Sequence, residues 1–280
     1  MVRCNGNDVI ITFVKTTDFM RLKMKKSKKN IKYTKIIKAA AGIALKMASK
    51  PIVSAIILAG GSSQRMEGVS KQLLEICGAP VVVHSAMAFE KCAEVSEIIV
   101  VCREIEKDTI ASLMQEYSIT KFKAAVIGGN SRFESCRCGF EHVDKKCNLV
   151  AVHDVARCLV TTAEISSVIK VAFEKGAAIA ATRATDTLKS VNDKGYIEKT
   201  VDRRPIWQAQ TPQIFLRTML EVGLYSDNNN DVPTDDSMLA ELLGFKVYPV
   251  ETGRQNIKIT TKDDIIIAEA ILSQRRSNDE

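Results

Sequence analysis

The sequence predicts an α/β fold, a mostly parallel sheet with helices on both faces and a projecting β-hairpin arm. Three observations carry this. Short β-branched apolar runs without a polar face alternate with longer helical patterns. These runs end in glycine pairs or in His-Asp, the chemistry of a strand opening into a loop. One polar, alternating stretch near residues 183–204 breaks the pattern and cannot sit inside such a sheet. In sheets of this kind, covered by crossover helices, ligands lie beyond the carboxyl ends of the strands.

The elements follow in order. Residues 52–58 (Ile-Val-Ser-Ala-Ile-Ile-Leu) read as a buried strand ending near Gly60-Gly61. Pro80 opens a helix to Phe89, since proline suits the first turn. Residues 97–101 read as the second strand and 104–118 as a helix. Residues 123–127 are the third strand, ending in Gly128-Gly129, and a helix then runs to about Val143. Residues 148–152 are the fourth strand, ending in His153-Asp154, and Thr162 precedes a helix with Glu164 in its first turn. Residues 187–191 and 196–201 pair across Asn192-Asp193-Lys194-Gly195 as a hairpin that needs a partner surface. Helices near 215–225 and 235–243, a strand at 246–250 and a helix from Lys262 complete the chain.

At 280 residues, 46% hydrophobic and 26% charged, the chain has the balance of a globular protein with a sizeable core. No run of about 18 apolar residues occurs, so no transmembrane helix is expected. The charge divides the chain. Residues 1–50 hold 13 basic and 2 acidic residues, leaving 27 basic and 31 acidic in residues 51–280. The net +7 therefore belongs to a basic N-terminal extension, and the main domain carries no electrostatic case for nucleic acid. The extension, with its lysine-rich run from Lys23 to Lys38, reads as disordered, loosely helical, or upstream of a start at Met47. Residues 51–280 form the single main domain, with the arm at about 183–204. Eight scattered cysteines without a Cys-x-x-Cys pair fit reduced thiols and a cytoplasmic location. The three histidines, at 84, 142 and 153, lack zinc-ligand spacing.

Five stretches carry candidate chemistry. Residues 58–66 (Leu-Ala-Gly-Gly-Ser-Ser-Gln-Arg-Met), with Lys71 beyond, make a Gly-rich turn whose N–H groups could cradle phosphate. The turn is neither a Walker loop nor a G-x-G-x-x-G fingerprint. His153-Asp154-Val155-Ala156-Arg157 places a carboxylate at a strand end. Thr200-Val201-Asp202-Arg203-Arg204 lies at the base of the arm. The last two are residues 208–213 (Gln-Ala-Gln-Thr-Pro-Gln) and 256–260 (Asn-Ile-Lys-Ile-Thr). Taken singly, the first two read equally well as a tight turn and a cap, while the other three read better as solvated cations or polar edges.

Together and in this order they are specific. From about Val53 to Leu272 the chain resembles the 2-C-methyl-D-erythritol 4-phosphate cytidylyltransferases. The motifs are Ala59–Met66 with Lys71-Gln72, Gly128-Gly129 with Arg132 and Ser135, His153-Asp154-x-Ala156-Arg157, and residues 186–189 (Asp-Thr-Leu-Lys). Thr200–Arg203, Gln210–Gln213, Thr234-Asp235-Asp236 and Asn256–Thr260 complete the set. The resemblance implies a Rossmann-like nucleotidyltransferase fold and a homodimer formed through the arm. It implies transfer of a cytidylyl group from CTP to methylerythritol phosphate with loss of pyrophosphate, in non-mevalonate isoprenoid synthesis. It also implies Mg²⁺ on the CTP phosphates, with no protein ligand assigned to the metal. Such a reaction needs no covalent nucleophile, because a phosphate monoester is already largely ionised near pH 7, and positioning with charge neutralisation suffices.

By motif position, Arg65 and Lys71 resemble the pair that stabilises the transition state. Arg203 and Lys258 would hold the acceptor phosphate, with Arg203 serving the neighbouring subunit. Asp154, Thr187, Thr211 and Thr234 match positions that contact the sugar alcohol or ribose, and Arg157 belongs with these positioning residues. Ala59, Gly60 and Gly61 match the nucleotide loop, while Gly128, Gly129 and Ser135 match the cytosine-reading loop. Ser63 and Cys158 depart from the family pattern, where glycine and proline are usual. The second reading is a ribitol-5-phosphate cytidylyltransferase, and the third a non-catalytic nucleotide- or RNA-binding protein. Residues 207–213 and 253–258 favour the methylerythritol enzyme, and the intact basic residues favour catalysis.

Overall fold

The computed structural model describes residues 2–5, 8–11, 50–61, 70–226 and 233–279. Within the extension, β1 (Val2–Asn5) and β2 (Asp8–Ile11) pair antiparallel as a separate two-stranded ladder. The rest of the expected extension up to residue 49 lies outside the described residues.

The main domain is built on β3 (Val53–Leu58), β6 (Val95–Cys102), β7 (Phe122–Ile127), β8 (Leu149–Asp154), β9 (Ala177–Arg183), β12 (Trp207–Leu216) and β13 (Tyr248–Glu251). Their order across the sheet is β13-β9-β12-β8-β3-β6-β7. All neighbours are parallel except β12, which runs antiparallel to both β8 and β9. Two short ladders lie outside the sheet: β4 (Glu75–Ile76) with β5 (Ala79–Pro80), and β10 (Lys189–Val191) with β11 (Ile197–Thr200).

Among the described residues the helices are α1 (Val81–Glu90), α2 (Lys107–Glu116), α3 (Arg132–Phe140), α4 (Thr162–Lys175), α5 (Arg217–Tyr225), α6 (Asp236–Leu242) and α7 (Lys262–Asp279). Side-chain alternation along β3 shows that they lie on both faces. Ile57 pairs in register with His153, whose ring meets Phe89 of α1 at 5.1 Å. The adjacent Ile56 points the other way, to α3. A Cβ at Gly139 of α3 would lie 2.6 Å from the Ile56 side chain, so only glycine lets helix and strand approach this closely. Every residue of β3 is buried, as a strand covered on both faces requires.

Local signals set the helix ends. Thr161 and Glu164 form a reciprocal capping box at the start of α4: the Glu164 N–H donates to Thr161 Oγ1 at 3.2 Å, and the Thr161 N–H to Glu164 Oε2 at 2.9 Å. Ser131 caps α3 and Asp235 caps α6 by a single bond each, the side-chain oxygen accepting the N–H of Glu134 and of Met238.

The structure corrects two expectations. Residues 207–216 form a long sheet strand, so the helix expected near 215 starts at Arg217. Its polar first half hid it, because β12 alternates less cleanly where it borders the site. The arm is narrower than 183–204, because Arg183 ends β9 inside the sheet. The Ala-rich β9 lacks the β-branched signature of a strand, so its small residues gave no signal.

Candidate active site

The site lies at the carboxyl ends of β3, β7 and β8, where β12 bulges and the 252–260 loop returns. The end of β3 delivers Ala59, Gly60 and Gly61. Ala59 is buried and donates its N–H to the Val101 carbonyl, Gly60 is half-buried and Gly61 is exposed. Arg65 and Ser63 fall in 62–69, outside the described residues. Lys71 follows in a short 3-10 turn, and its Nζ reaches the Ile259 carbonyl at 3.4 Å.

Beyond β7, Gly128 and Gly129 pack against α3. A Cβ at Gly128 would lie 2.8 Å from Ser135 Oγ, so the loop must be bare there for Ser135 to face it. Ser135 Oγ donates to the Gly129 carbonyl at 3.4 Å. A Cβ on Gly60 would stand 4.0 Å from the same hydroxyl, which brings the two Gly-rich loops together.

Asp154 at the end of β8 is the electrostatic centre. Its Oδ1 receives Arg132 Nη2 at 3.0 Å and Nε at 3.1 Å, and its Oδ2 receives Lys258 Nζ at 2.7 Å. Burial raises the Asp154 carboxyl pKa, but the charges and hydrogen bonds of Arg132 and Lys258 outweigh it and hold the group down at about 2. Arg132 also meets buried Asp236 at 2.7 Å. Burial opposes its charge, yet the two carboxylates hold Arg132 firmly protonated. Asp236 is pushed up, because its deeper burial outweighs its share of that guanidinium.

A register shift in β12 between Ala209 and Gln213 turns Thr211 toward this centre. Thr211 Oγ1 accepts the Asp154 N–H at 3.1 Å and lies 3.0 Å from His153 Nδ1. Gln213 carries the same strand to α6. Its Nε2 donates to Asp235 Oδ2 at 2.9 Å, and its Oε1 accepts the Ser237 N–H at 2.9 Å, which sets Asp236 against Arg132.

Arg157, three residues beyond the strand end, bridges two loops. Its Nη1 donates to the Asn256 carbonyl at 2.9 Å and its Nη2 to the Ala209 carbonyl at 3.3 Å. Buried Asn256 donates to Gln210 Oε1 at 3.1 Å and to the Thr211 carbonyl at 3.0 Å, so the Lys258 loop is tied to β12. The Ile259 N–H closes on the Ala156 carbonyl at 2.8 Å. These links surround a cleft of ≈ 390 Å³ whose lining includes Arg157, Thr182, Arg183, Gln210, Arg254 and Lys258.

The structure thus gathers Lys71, Asp154, Arg157, Thr211 and Lys258 in one place, with Gly128, Gly129 and Ser135 beside Gly60. Thr187 and Thr234 are exposed, and Thr234 Oγ1 turns back to Met238 Sδ at 3.9 Å. Arg203, also exposed, donates to the Thr185 carbonyl at the base of the arm. Cys158 is buried, with its thiol pushed up to about 12 by burial. The turn around it is kept by the Arg157 N–H on the Asp154 carbonyl at 2.9 Å. The cysteines of the main domain, at 77, 92, 102, 136, 138, 147 and 158, are free.

Sequence reasoning placed Arg132 and Asp236 in motifs but gave them no role, and it passed over His153 as a group of its own. Their signal was weak because a positioning salt bridge looks, in sequence, like any surface charge. The donor set offers no cage for a metal: among the described residues no three His, Cys, Asp or Glu cluster, and both Asp154 oxygens are engaged.

Comparison with known proteins identifies the arrangement. The sequence profile of the family described as IspD, 2-C-methyl-D-erythritol 4-phosphate cytidylyltransferase, matches residues 53–274. The cytidylyltransferase of that name from Syntrophus aciditrophicus is 40% identical over 228 residues, covering 80% of this chain and 97% of its own. Its counterpart from Alkaliphilus metalliredigens is 35% identical over 237 residues, covering 84% and 98%. Among solved structures, the 4-diphosphocytidyl-2C-methyl-D-erythritol synthase of Anaerococcus prevotii superposes with a TM-score of 0.72 at 30% identity, covering 80% of this chain and 96% of its own. The chain belongs to the 2-C-methyl-D-erythritol 4-phosphate cytidylyltransferase family.

Proposed function

We propose that this chain transfers the cytidylyl group of CTP to 2-C-methyl-D-erythritol 4-phosphate, giving 4-diphosphocytidyl-2-C-methyl-D-erythritol and pyrophosphate. The observation that carries the reading is the meeting of two lysines at one loop: Lys71 Nζ reaches the Ile259 carbonyl, and Lys258, the residue before Ile259, places its own Nζ on Asp154. In the reaction a phosphate oxygen of the acceptor attacks the α-phosphorus of CTP. The bond from that phosphorus to the bridging oxygen breaks, and pyrophosphate leaves with the electron pair. Lys71, together with Arg65, meets the charge that grows at the α-phosphate. Lys258 and Arg203 hold the acceptor phosphate, and Asp154, Arg157 and Thr211 orient hydroxyls. The bare Gly128-Gly129 loop with Ser135 reads the cytosine edge.

Mg²⁺ would be carried on the phosphates of CTP and would supply charge neutralisation there; among the described residues no three His, Cys, Asp or Glu cluster to hold it. The working unit is a homodimer joined through the β10–β11 arm, where Val191, Tyr196 and Ile197 are all exposed. An isolated two-stranded hairpin is marginal in water, which argues for a partner surface. The same reading places the enzyme in the cytoplasm, where thiols stay reduced. No helix among the described residues is long and apolar enough to cross a membrane.

The test is CTP turnover with each acceptor supplied separately. Pyrophosphate release with methylerythritol phosphate, and little with ribitol 5-phosphate, is the expected result. The reverse preference would replace this reading with the ribitol enzyme.

A further inference from the structure

Lys71 is flanked by two side chains that end on one carboxylate. Ser70 Oγ donates to Glu106 Oε1, and Gln72 Nε2 donates to Glu106 Oε2 at 2.5 Å. Glu106 lies in the 3-10 turn Glu104–Glu106 that follows β6, far from Lys71 in sequence. It is only 3% exposed, and Gln72 only 1%. Arg103 supplies the counter-charge to the same carboxylate. The backbone across the turn is closed by the Leu73 N–H on the Ser70 carbonyl at 3.1 Å and the Leu74 N–H on the Lys71 carbonyl at 3.2 Å. The side chains of residues 70 and 72 are thus pinned, and the Lys71 side chain projects to the Ile259 carbonyl.

We propose that Glu106 is a positioning residue for Lys71, a buried carboxylate that grips the residues on both sides of the lysine and fixes the direction in which its ammonium reaches the cleft. The inference rests on the role given to Lys71 above. A lysine stem has many rotamers and its ammonium is a mobile point charge. Preorganisation of that charge requires its backbone anchor to be fixed before substrate arrives. Burying a carboxylate is costly unless every oxygen is satisfied, and here the satisfying donors come from the lysine's own neighbours. Burial opposes ionisation of Glu106, but Arg103, Ser70 and Gln72 hold its carboxyl below the usual range.

The test is a double-mutant cycle on the full chain, with steady-state kinetics in both substrates. Glu106→Gln should lower kcat about tenfold while KM for CTP and for the acceptor change less than about twofold. Lys71→Ala should lower kcat about 10²–10³-fold. In the Lys71→Ala background, Glu106→Gln should have almost no further effect, because the group it positions is gone. If the two losses multiply, or Glu106→Gln keeps full kcat while Lys71→Ala is impaired, the positioning role is overturned and Lys71 keeps its own. If Lys71→Ala keeps full kcat, the reading of Lys71 fails and the clamp fails with it. Should Glu106→Gln not fold, Gln72→Met removes one grip while leaving Arg103 on Glu106. It should lower kcat about threefold with the same loss of effect beside Lys71→Ala, and a multiplicative loss overturns the proposal.

Discussion

Lys258 Nζ sits 2.7 Å from Asp154 Oδ2, on the carboxylate whose other oxygen is held by Arg132. The cation assigned to the acceptor phosphate is therefore held in place before any phosphate arrives. Replacing Asp154 by Asn removes a charge-assisted partner from both cations while keeping the shape. Each such bond is worth about 1.5–3 kcal/mol. Asp154→Asn should therefore lower kcat/KM for the acceptor by about tenfold to a hundredfold. Kinetics with the acceptor varied at saturating CTP checks this, and an unchanged kcat/KM would remove Asp154 from the site's machinery.

His153 should set the acid limb of stability. Its ring is fully buried, and burial lowers its pKa to about 3. The unfolded chain takes up the proton near pH 6.5, whereas the folded chain refuses it until about pH 3. The unfolded state therefore binds more protons across that window, and stability falls as pH falls through it. The expected slope from this group is about 1.4 kcal/mol per pH unit below pH 6. Urea unfolding from pH 7 to pH 4.5 measures it. His153→Gln should flatten that limb, even if it is less stable at pH 7. A parallel limb in the variant would assign the acid sensitivity to other groups.

The parallel half of the fold was legible in the sequence because β3, β6 and β8 are almost wholly buried and so read as apolar runs, while β7, half-covered at the sheet edge, still ends in a glycine pair. The loops at their ends were legible for the same reason, since glycine pairs and His-Asp stand out against such runs. β12 was not, because a strand that passes from core to site carries Gln208, Gln210 and Gln213 where a pattern expects apolar residues. The salt bridges Arg132–Asp236 and Arg132–Asp154 were hidden for another reason: their partners are 104 and 22 positions apart, and only the sheet order brings them together. Glu106 is the extreme case, a charged residue in a turn that shows its role only through burial.

The N-terminal extension should be dispensable. Its described part, β1 with β2, pairs only within itself, and the domain's first strand begins at Val53. Independent segments of this kind are tolerated as deletions. A chain starting at Met47 should keep the kcat and Tm of the full chain. A large fall in Tm would mean that the extension packs on the domain.

Arg203 should act across the dimer. It is anchored at the arm, on the Thr185 carbonyl, rather than among the residues around Asp154. Mixing Arg203→Ala with Lys71→Ala, each nearly inactive alone, then gives hybrid dimers with one intact site in two. With random exchange, activity should recover to about a quarter of wild type, since half the dimers are hybrids. Native mass spectrometry establishes the exchange. Exchange without recovery would confine each site to one subunit.

Lys71 and Lys258 should fail differently, although Lys71 reaches the very loop that carries Lys258. Lys71 is assigned to charge that develops only as the α-phosphorus is attacked. An interaction made only in the transition state lowers kcat when lost, and one preorganised group of this kind is worth about 10²–10³ in rate. Lys258 is assigned to a phosphate that carries its charge in the ground state as well. Its removal should raise KM for the acceptor more than it lowers kcat, with KM for CTP nearly unchanged. Lys258→Ala also leaves Asp154 with Arg132 alone, so Lys258→Arg serves as the control that keeps the charge. Kinetics of the three variants, varying each substrate in turn, separates the roles. A Lys258→Ala enzyme weakened only toward CTP would move that lysine to the nucleotide and leave the acceptor phosphate to Arg203.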